Sequence, residues 1–417
     1  MKIFAALLFA IAFGLLLIQA RGALAARRVL EGGPAPLNKT RSLLKAINDA
    51  HSSNQTLHVL FVHGIRAESA GTSSIFAARL AKALGGNLSN PVRIGLTLEW
   101  PQHATMASFV DNNGTPKPIW PTAEDWKRSE PFLNRATISS KTGQVVIDEV
   151  NYWPLLFPLK CHALLVPEHD LAGVDAKHLQ RCHEEGWFSK QELDQLLSTK
   201  ARSGRGAFLN RRLKQELMDW GLSDAVIALG PMRRYLNDAI DLACESALES
   251  GGDDRYVVVS ESLGSFVVMD AFAERREKVQ KVLARTADLY FFANQFALLD
   301  LARIDGIVSH ANVLSAQVVG AAVPSPLQAL KLWGASTGSI KAEAIPGRES
   351  PGLEKQIVAF SDPSDILTFD VPPIAGVKVV NLYDRQGFNL LGIVADPGAA
   401  HTGHSKNEAV WKVLLRP

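Results

Sequence analysis

The sequence holds no run of like charge, no low-complexity tract and no repeat at solenoid periods. These absences exclude charged tails and stacked-repeat architectures. Its 44 basic and 42 acidic residues leave a net charge of +2, so no charge of one sign dominates and nothing favours a nucleic-acid partner. Cysteine is scarce, at three residues. No recognised zinc spacing occurs, even where His162, His169, His178 and His183 crowd one stretch. Glycine-rich phosphate loops are missing too, since "LEGGP" (30–34) and "ALGGN" (83–87) follow no predicted strand. What is present is ordinary globular composition: 417 residues, 47% hydrophobic and 21% charged, ample for a large core.

One end departs from that average. Met1-Lys2 precede an uncharged apolar run from Ile3 to Ile18, and Ala23-Leu24-Ala25 follow. A basic start, an apolar segment and a small-residue site describe a secretory signal peptide over residues 1–26. Arg21, Arg27 and Arg28 equally suit a retained N-terminal membrane anchor. Either way the chain is expected to be exported, to the periplasm or beyond. In an oxidising compartment Cys161 and Cys182 are expected to pair, a bridge worth roughly 3 kcal/mol for a loop of that size. The alternatives are a metal site with the neighbouring histidines, or free thiols. Cys244 sits in an amphipathic pattern and reads as a small core residue.

Beyond a Gly/Pro-rich linker at 27–36, the pattern predicts a helix from Lys39 to about His51. "LHVLFVHG" (57–64) predicts a buried strand, 73–84 a helix closed by Gly85, and "VRIGLTLEW" (92–100) another strand. From 101 to 205 the rhythm breaks into a Pro-, Asn- and aromatic-rich stretch, expected to be a folded insertion or cap. Helices follow at about 206–219 and 223–248. Then come a strand at 256–260, a helix from Leu263 to about Val279, a strand at 288–293 and a mainly helical stretch at 296–334. Strands at 356–361 and 377–383 and a last helix at about 406–415 complete the chain. The β, α, β alternation over 37–100 and 206–417 predicts an α/β core with a mostly parallel sheet covered on both faces.

Within that order, "VVVSESLGSFVVMDAF" (257–272) runs a strand into a helix through a knot of small residues around Ser262. So abrupt a turn forces its middle residue into a strained backbone and needs small neighbours, here Ser260, Gly264 and Ser265. Ser262 would stand above the C-terminal edge of the sheet at a helix start, where the dipole and free amides favour an oxyanion. It is the candidate nucleophile, and a buried Ser262 would end that assignment. The Leu263 amide is one candidate donor, and the Ile65 amide in "HGIR" (63–66) is the other. The plain alternative is that Ser262 caps a helix.

A serine nucleophile needs a base, and the base an orienting acid. Downstream, "DPSD" presents Asp362 and Asp365 after one strand, Asp384 follows the last strand, and "GAAHTGHSKNEAVW" presents His401 and His404 before the final helix. The order Ser, Asp, His, each after a strand, resembles the α/β-hydrolase superfamily. "FVHG", "SESLGS" and the late histidine resemble its bacterial esterase and lipase-like members. Ser260 replaces the first glycine of that family's G-x-S-x-G elbow. The resemblance favours Asp365, which precedes apolar "ILTF", over Asp362, which suits a turn, and His401 over His404. Glu261 is expected to point away from the reaction, into the structure or toward Arg66, and His63 to pack beneath the oxyanion loop.

The resemblance implies an exported serine hydrolase that cleaves small or lipid carboxylic esters through an acyl-enzyme, with no metal or organic cofactor. A transacylase would use the same groups. The rival from another class is a catalytically silent envelope binding protein of the same fold.

Overall fold

The computed structural model describes residues 30–32, 40–64, 73–99, 108–110, 116–165, 176–198, 221–230, 232–251, 254–300, 325–335, 354–385, 389–390, 394–395 and 397–417. The expected signal peptide or anchor (1–26) and the helix at 206–219 lie outside them. Among the described residues no helix is long and apolar enough to cross a membrane.

The fold is α/β. Six strands form a parallel centre: β2 (Leu57–Val62), β8 (Gln144–Asn151), β9 (Arg255–Glu261), β10 (Thr286–Phe292), β11 (Gln356–Ser361) and β12 (Lys378–Tyr383). Their order across the sheet is β12-β11-β10-β9-β2-β8. Antiparallel strands flank this centre. β1 (Leu30–Gly32) pairs with β12, while β7 (Phe132–Ser139) pairs with β8, β3 (Asn87–Leu88) and β4 (Val92–Gly95). A separate ribbon joins β5 (Ser108–Val110) to β6 (Pro116–Pro118).

Alternate residues of the central strands enter different cores, because successive side chains of a strand point to opposite faces. On one face Val59, Phe61, Val257, Val259, Val358 and Phe360 pack with α1 (Leu43–Ser52), α2 (Ser74–Leu84) and, near the C-terminus, Trp411 and Leu414. On the other, Leu60, Val62, Val258, Leu289 and Ile357 pack with α8 (Arg233–Ser250), α9 (Leu263–Ala273) and α10 (Glu277–Ala284). All eleven residues of α9 are buried. A buried helix at the sheet centre therefore begins at Ser262.

The structure departs from the sequence reading in five places, one being that the helix expected from Leu263 to about Val279 is two, α9 and α10. Residues 30–32, inside the expected linker, form β1. The expected insertion at 101–205 supplies β7 and β8, so it contributes to the sheet; the parallel neighbour of β2 on that side is β8. The strand expected over 92–100 is a four-residue antiparallel edge with exposed residues. The helix expected over 223–248 is two, Ser223–Leu229 and α8, separated at Gly230, whose backbone is extended. The cysteine expectation agrees with the structure. Cys161 and Cys182 are bridged, with Cα atoms 5.9 Å apart, and Cys244 is a buried free thiol.

Candidate active site

Every central strand except β8 ends beside the same patch. Gly64 follows β2, Ser262 follows β9, Ala293 to Gln295 follow β10, Asp362 and Asp365 follow β11, and Asp384 follows β12. Backbone bonds continue the ladder past the strand ends: Ser262 N to Phe292 O at 2.7 Å, Ala293 N to Phe360 O at 2.9 Å and Asp384 N to Ser361 O at 2.9 Å. The carboxyl edge of a parallel sheet is where α/β proteins place ligands.

Ser262 has φ 56° and ψ −126°, a conformation that a residue with a side chain holds only under constraint. The constraint is visible in its neighbours. A Cβ added to Gly64 would lie 2.4 Å from Ser262 Cβ, and one on Gly264 would lie 2.2 Å from Val62 O, so both glycines are required for the close approach of β2 to the turn. The hydroxyl does not cap α9. Instead Ser262 Oγ is 2.5 Å from His401 Nε2.

His401, in the short helix Pro397–Thr402, turns its other nitrogen to Asp365, with Nδ1 2.7 Å from Oδ2. Asp365 also accepts from the Leu367 amide at 2.9 Å and from the Thr368 hydroxyl. Burial pushes its carboxyl up, but the imidazole, that hydroxyl and that amide together hold it below the usual carboxylate range. An ionised Asp365 accepting from Nδ1 leaves the lone pair of His401 on Nε2, facing the hydroxyl.

The remaining candidates sort cleanly. Asp362 makes the turn: its Oδ1 accepts from Ser364 N at 2.7 Å and its carbonyl from Asp365 N at 2.9 Å. His404 lies with Asp384, Nδ1 to Oδ1 at 2.9 Å, and Asn407 Nδ2 donates to the same carboxylate at 3.1 Å. The two histidines and two of the aspartates thus form two pairs, of which only His401–Asp365 meets Ser262. Burial lowers the proton affinity of His404, yet Asp384, Glu261 and Asp365 raise it above the ordinary value. Glu261 is pushed up by burial, against the pull of His404, His401 and Lys406; Arg66 lies outside the described residues. His63 is fully buried and stacks on Tyr152 with ring centres 4.5 Å apart, and desolvation lowers its proton affinity below the ordinary value. Tyr152 donates to His63 O at 2.8 Å, fixing the backbone next to Gly64.

Leu263 opens α9 directly after Ser262, so its amide belongs to the first turn of that helix. Ile65 lies outside the described residues. One expectation is corrected: Ser262 is only 2% exposed, because Gly64, His401 and the packed start of α9 surround it. Of the other histidines, His58 is a core residue 3.0 Å from Asp254, and His51 binds Thr142 and the Gln144 carbonyl. His103 and His310 lie outside the described residues. No group of side chains suited to a metal ion occurs among the described residues.

Sequence reasoning missed Gln295, 3% exposed, whose Nε2 is 3.4 Å from His401 Nε2. The available signal was its place two residues past a predicted strand end, the same rule that singled out Asp362 and Asp365. The chain was compared with protein-family models, curated proteins and solved structures. None of the three gave a match.

Proposed function

We propose that the protein is a serine hydrolase of the α/β-hydrolase type that cleaves carboxylic esters through an acyl-enzyme. The observation that carries this reading is the continuous contact Ser262 Oγ, His401 Nε2 and Nδ1, Asp365 Oδ2, at 2.5 and 2.7 Å, on a serine held at positive φ. In this reading Ser262 attacks the acyl carbon while His401 takes its proton. Asp365 holds the imidazole tautomer and stabilises the imidazolium. The carbonyl oxygen collects negative charge at the start of α9, with the amides of Leu263 and Ile65 as its donors. His401 then returns the proton to the leaving oxygen, and water repeats the sequence to free the acid. A transacylase differs only in that an alcohol takes the place of this water.

The burial of Ser262 favours a second reading, a catalytically silent binding protein whose preserved side chains no longer meet substrate. The two separate on one measurement. Wild-type protein incubated with a fluorophosphonate probe should be labelled, Ser262→Ala should not, and wild type should turn over p-nitrophenyl esters. Absence of labelling and turnover in folded wild type favours the silent protein. Labelling that persists in Ser262→Ala rules out this serine as the nucleophile. The proposed setting is the envelope or the outside of the cell, by the N-terminal pattern and the Cys161–Cys182 bridge.

A further inference from the structure

Gln295 sits where a reacting group would need a partner, and among the described residues its carboxamide nitrogen meets His401 Nε2 alone. His401 with its proton on Nδ1 has a single lone pair on Nε2, and Ser262 Oγ already occupies that side at 2.5 Å. The carboxamide nitrogen of Gln295 is a second donor on the same atom, at 3.4 Å.

Its support is elaborate for a residue with so little to do. Ala293 takes φ 50°, a left-handed backbone that a residue with a side chain keeps only when its surroundings over-determine it. Here they do. Ala293 N donates to Phe360 O at 2.9 Å, Asn294 Nδ2 to Phe369 O at 2.5 Å and Phe369 N to Asn294 O at 3.2 Å. Gln295 N donates to Ser265 Oγ at 3.1 Å, and that hydroxyl donates to Ser262 O at 2.7 Å. The segment is therefore tied to β11, to the loop carrying Asp365 and to the turn carrying Ser262, which fixes the amide relative to all three groups.

We infer that Gln295 is a further catalytic residue of this site, donating from its carboxamide to the leaving-group oxygen, and that the site is built for oxygen esters in preference to thioesters. The inference rests on the hydrolase reading. When Ser262 Oγ bonds to the acyl carbon, its proton passes to His401 Nε2. As the acyl C–O bond breaks, its electron pair stays on the leaving oxygen, which must come within hydrogen-bond reach of Nε2–H to be protonated. An atom there stands beside the Gln295 amide. One lone pair of the oxygen takes the proton, another accepts the amide N–H, and a neutral alcohol departs. Negative charge on that oxygen peaks in the transition state, so the amide bond strengthens there. A leaving sulfur is a weak acceptor and gains little.

The test compares an oxygen ester with a thioester of the same acyl chain and the same aliphatic leaving skeleton, in wild type, Gln295→Met and Gln295→Glu. Methionine keeps the bulk, and glutamate keeps the shape but has no N–H. Both variants should lose about tenfold in kcat/KM on the oxygen ester and less than about twofold on the thioester, the scale of one hydrogen bond to developing charge. Fluorophosphonate labelling of Ser262 should persist in both. If wild type spares the thioester, the tenfold loss on the oxygen ester with labelling intact supports the role of Gln295 equally. Equal losses on both substrates, no loss on either, or labelling lost in both variants would overturn that role. Wild type that is neither labelled nor active would instead remove the hydrolase reading beneath it.

Discussion

Two residues separate His401 from His404, and their neighbours set them apart. His401 stands between Ser262 and Asp365. His404 is completely buried against Asp384, with Glu261 and Asp365 adding to the field, and its Nε2 has no hydrogen-bond partner among the described residues. Its proton affinity in the folded protein lies above the ordinary value of 6.5, so the native state binds that proton more tightly than the unfolded chain does. By linkage the stabilisation is fully present below pH 6.5 and fades as pH rises through the folded value. His404→Gln removes it. The melting-temperature gap between wild type and His404→Gln should therefore be widest in mildly acidic buffer and narrow toward alkaline pH, on top of a constant packing loss. A gap that stays level from about pH 5 to 9 would mean that His404 does not hold the extra proton. At this scale the sequence supplied the participants, since Asp365, Asp384, His401 and His404 were all singled out. The resemblance favoured Asp365 with His401, but nothing in the sequence paired Asp384 with His404, which depends on which strand end each loop leaves.

The decisive element is the join between β9 and α9, and its tightness resides in glycine. A Cβ on Gly264 would meet Val62 O at 2.2 Å and His63 O at 2.5 Å; both are backbone atoms, fixed by the sheet and unable to swing away. Gly264→Ala should therefore destabilise the protein by about 1–3 kcal/mol, the cost of overpacking a filled site, and slow probe labelling by moving Ser262. Gly95→Ala is the matched control, because its added Cβ meets nothing within 4 Å. Urea unfolding of the two variants decides, and equal midpoints would contradict the packing described for the elbow. The join was legible because its strand is an apolar run ending in small residues. β2, β10 and β11 were legible for the same reason: both faces of each are buried. β8 was not. It carries Asp148, Glu149 and Asn151, all buried, and a strand with that many polar residues resembles a solvated loop. The structure shows what keeps them inside. Arg135 Nε bonds Asp148 at 2.6 Å, while Ser73 N and Asn134 Nδ2 bond Glu149 at 3.0 and 3.1 Å. Those partners come from other elements, and a local reading does not contain them.

Among the described residues the apolar side chains divide into one core on each face of the sheet and a third, smaller cluster, joined to one of those cores through Trp187 and the helix Trp153–Leu159. That cluster gathers Phe157, Leu179, Phe188 and Leu193 around the Cys161–Cys182 bridge. Arg181 lies over the rings of Trp153 and Phe157 at 5.3 and 5.4 Å. So few apolar residues bury little area, and a satellite of this size needs a covalent tie to keep its helices Ala176–Glu184 and Lys190–Ser198 in place. The bridge spans 21 residues, for which loop closure predicts about 3 kcal/mol. Because its buried residues form a cluster distinct from the sheet's core, joined to it through Trp187 and the helix Trp153–Leu159, most of that energy should be lost locally. In the double variant Cys161→Ala, Cys182→Ala, hydrogen exchange should accelerate across 176–198 while the amides of β9, β10 and β11 keep their protection. Uniform acceleration through the sheet would show that the satellite and the sheet unfold as one unit, and that the third cluster belongs to the main fold after all.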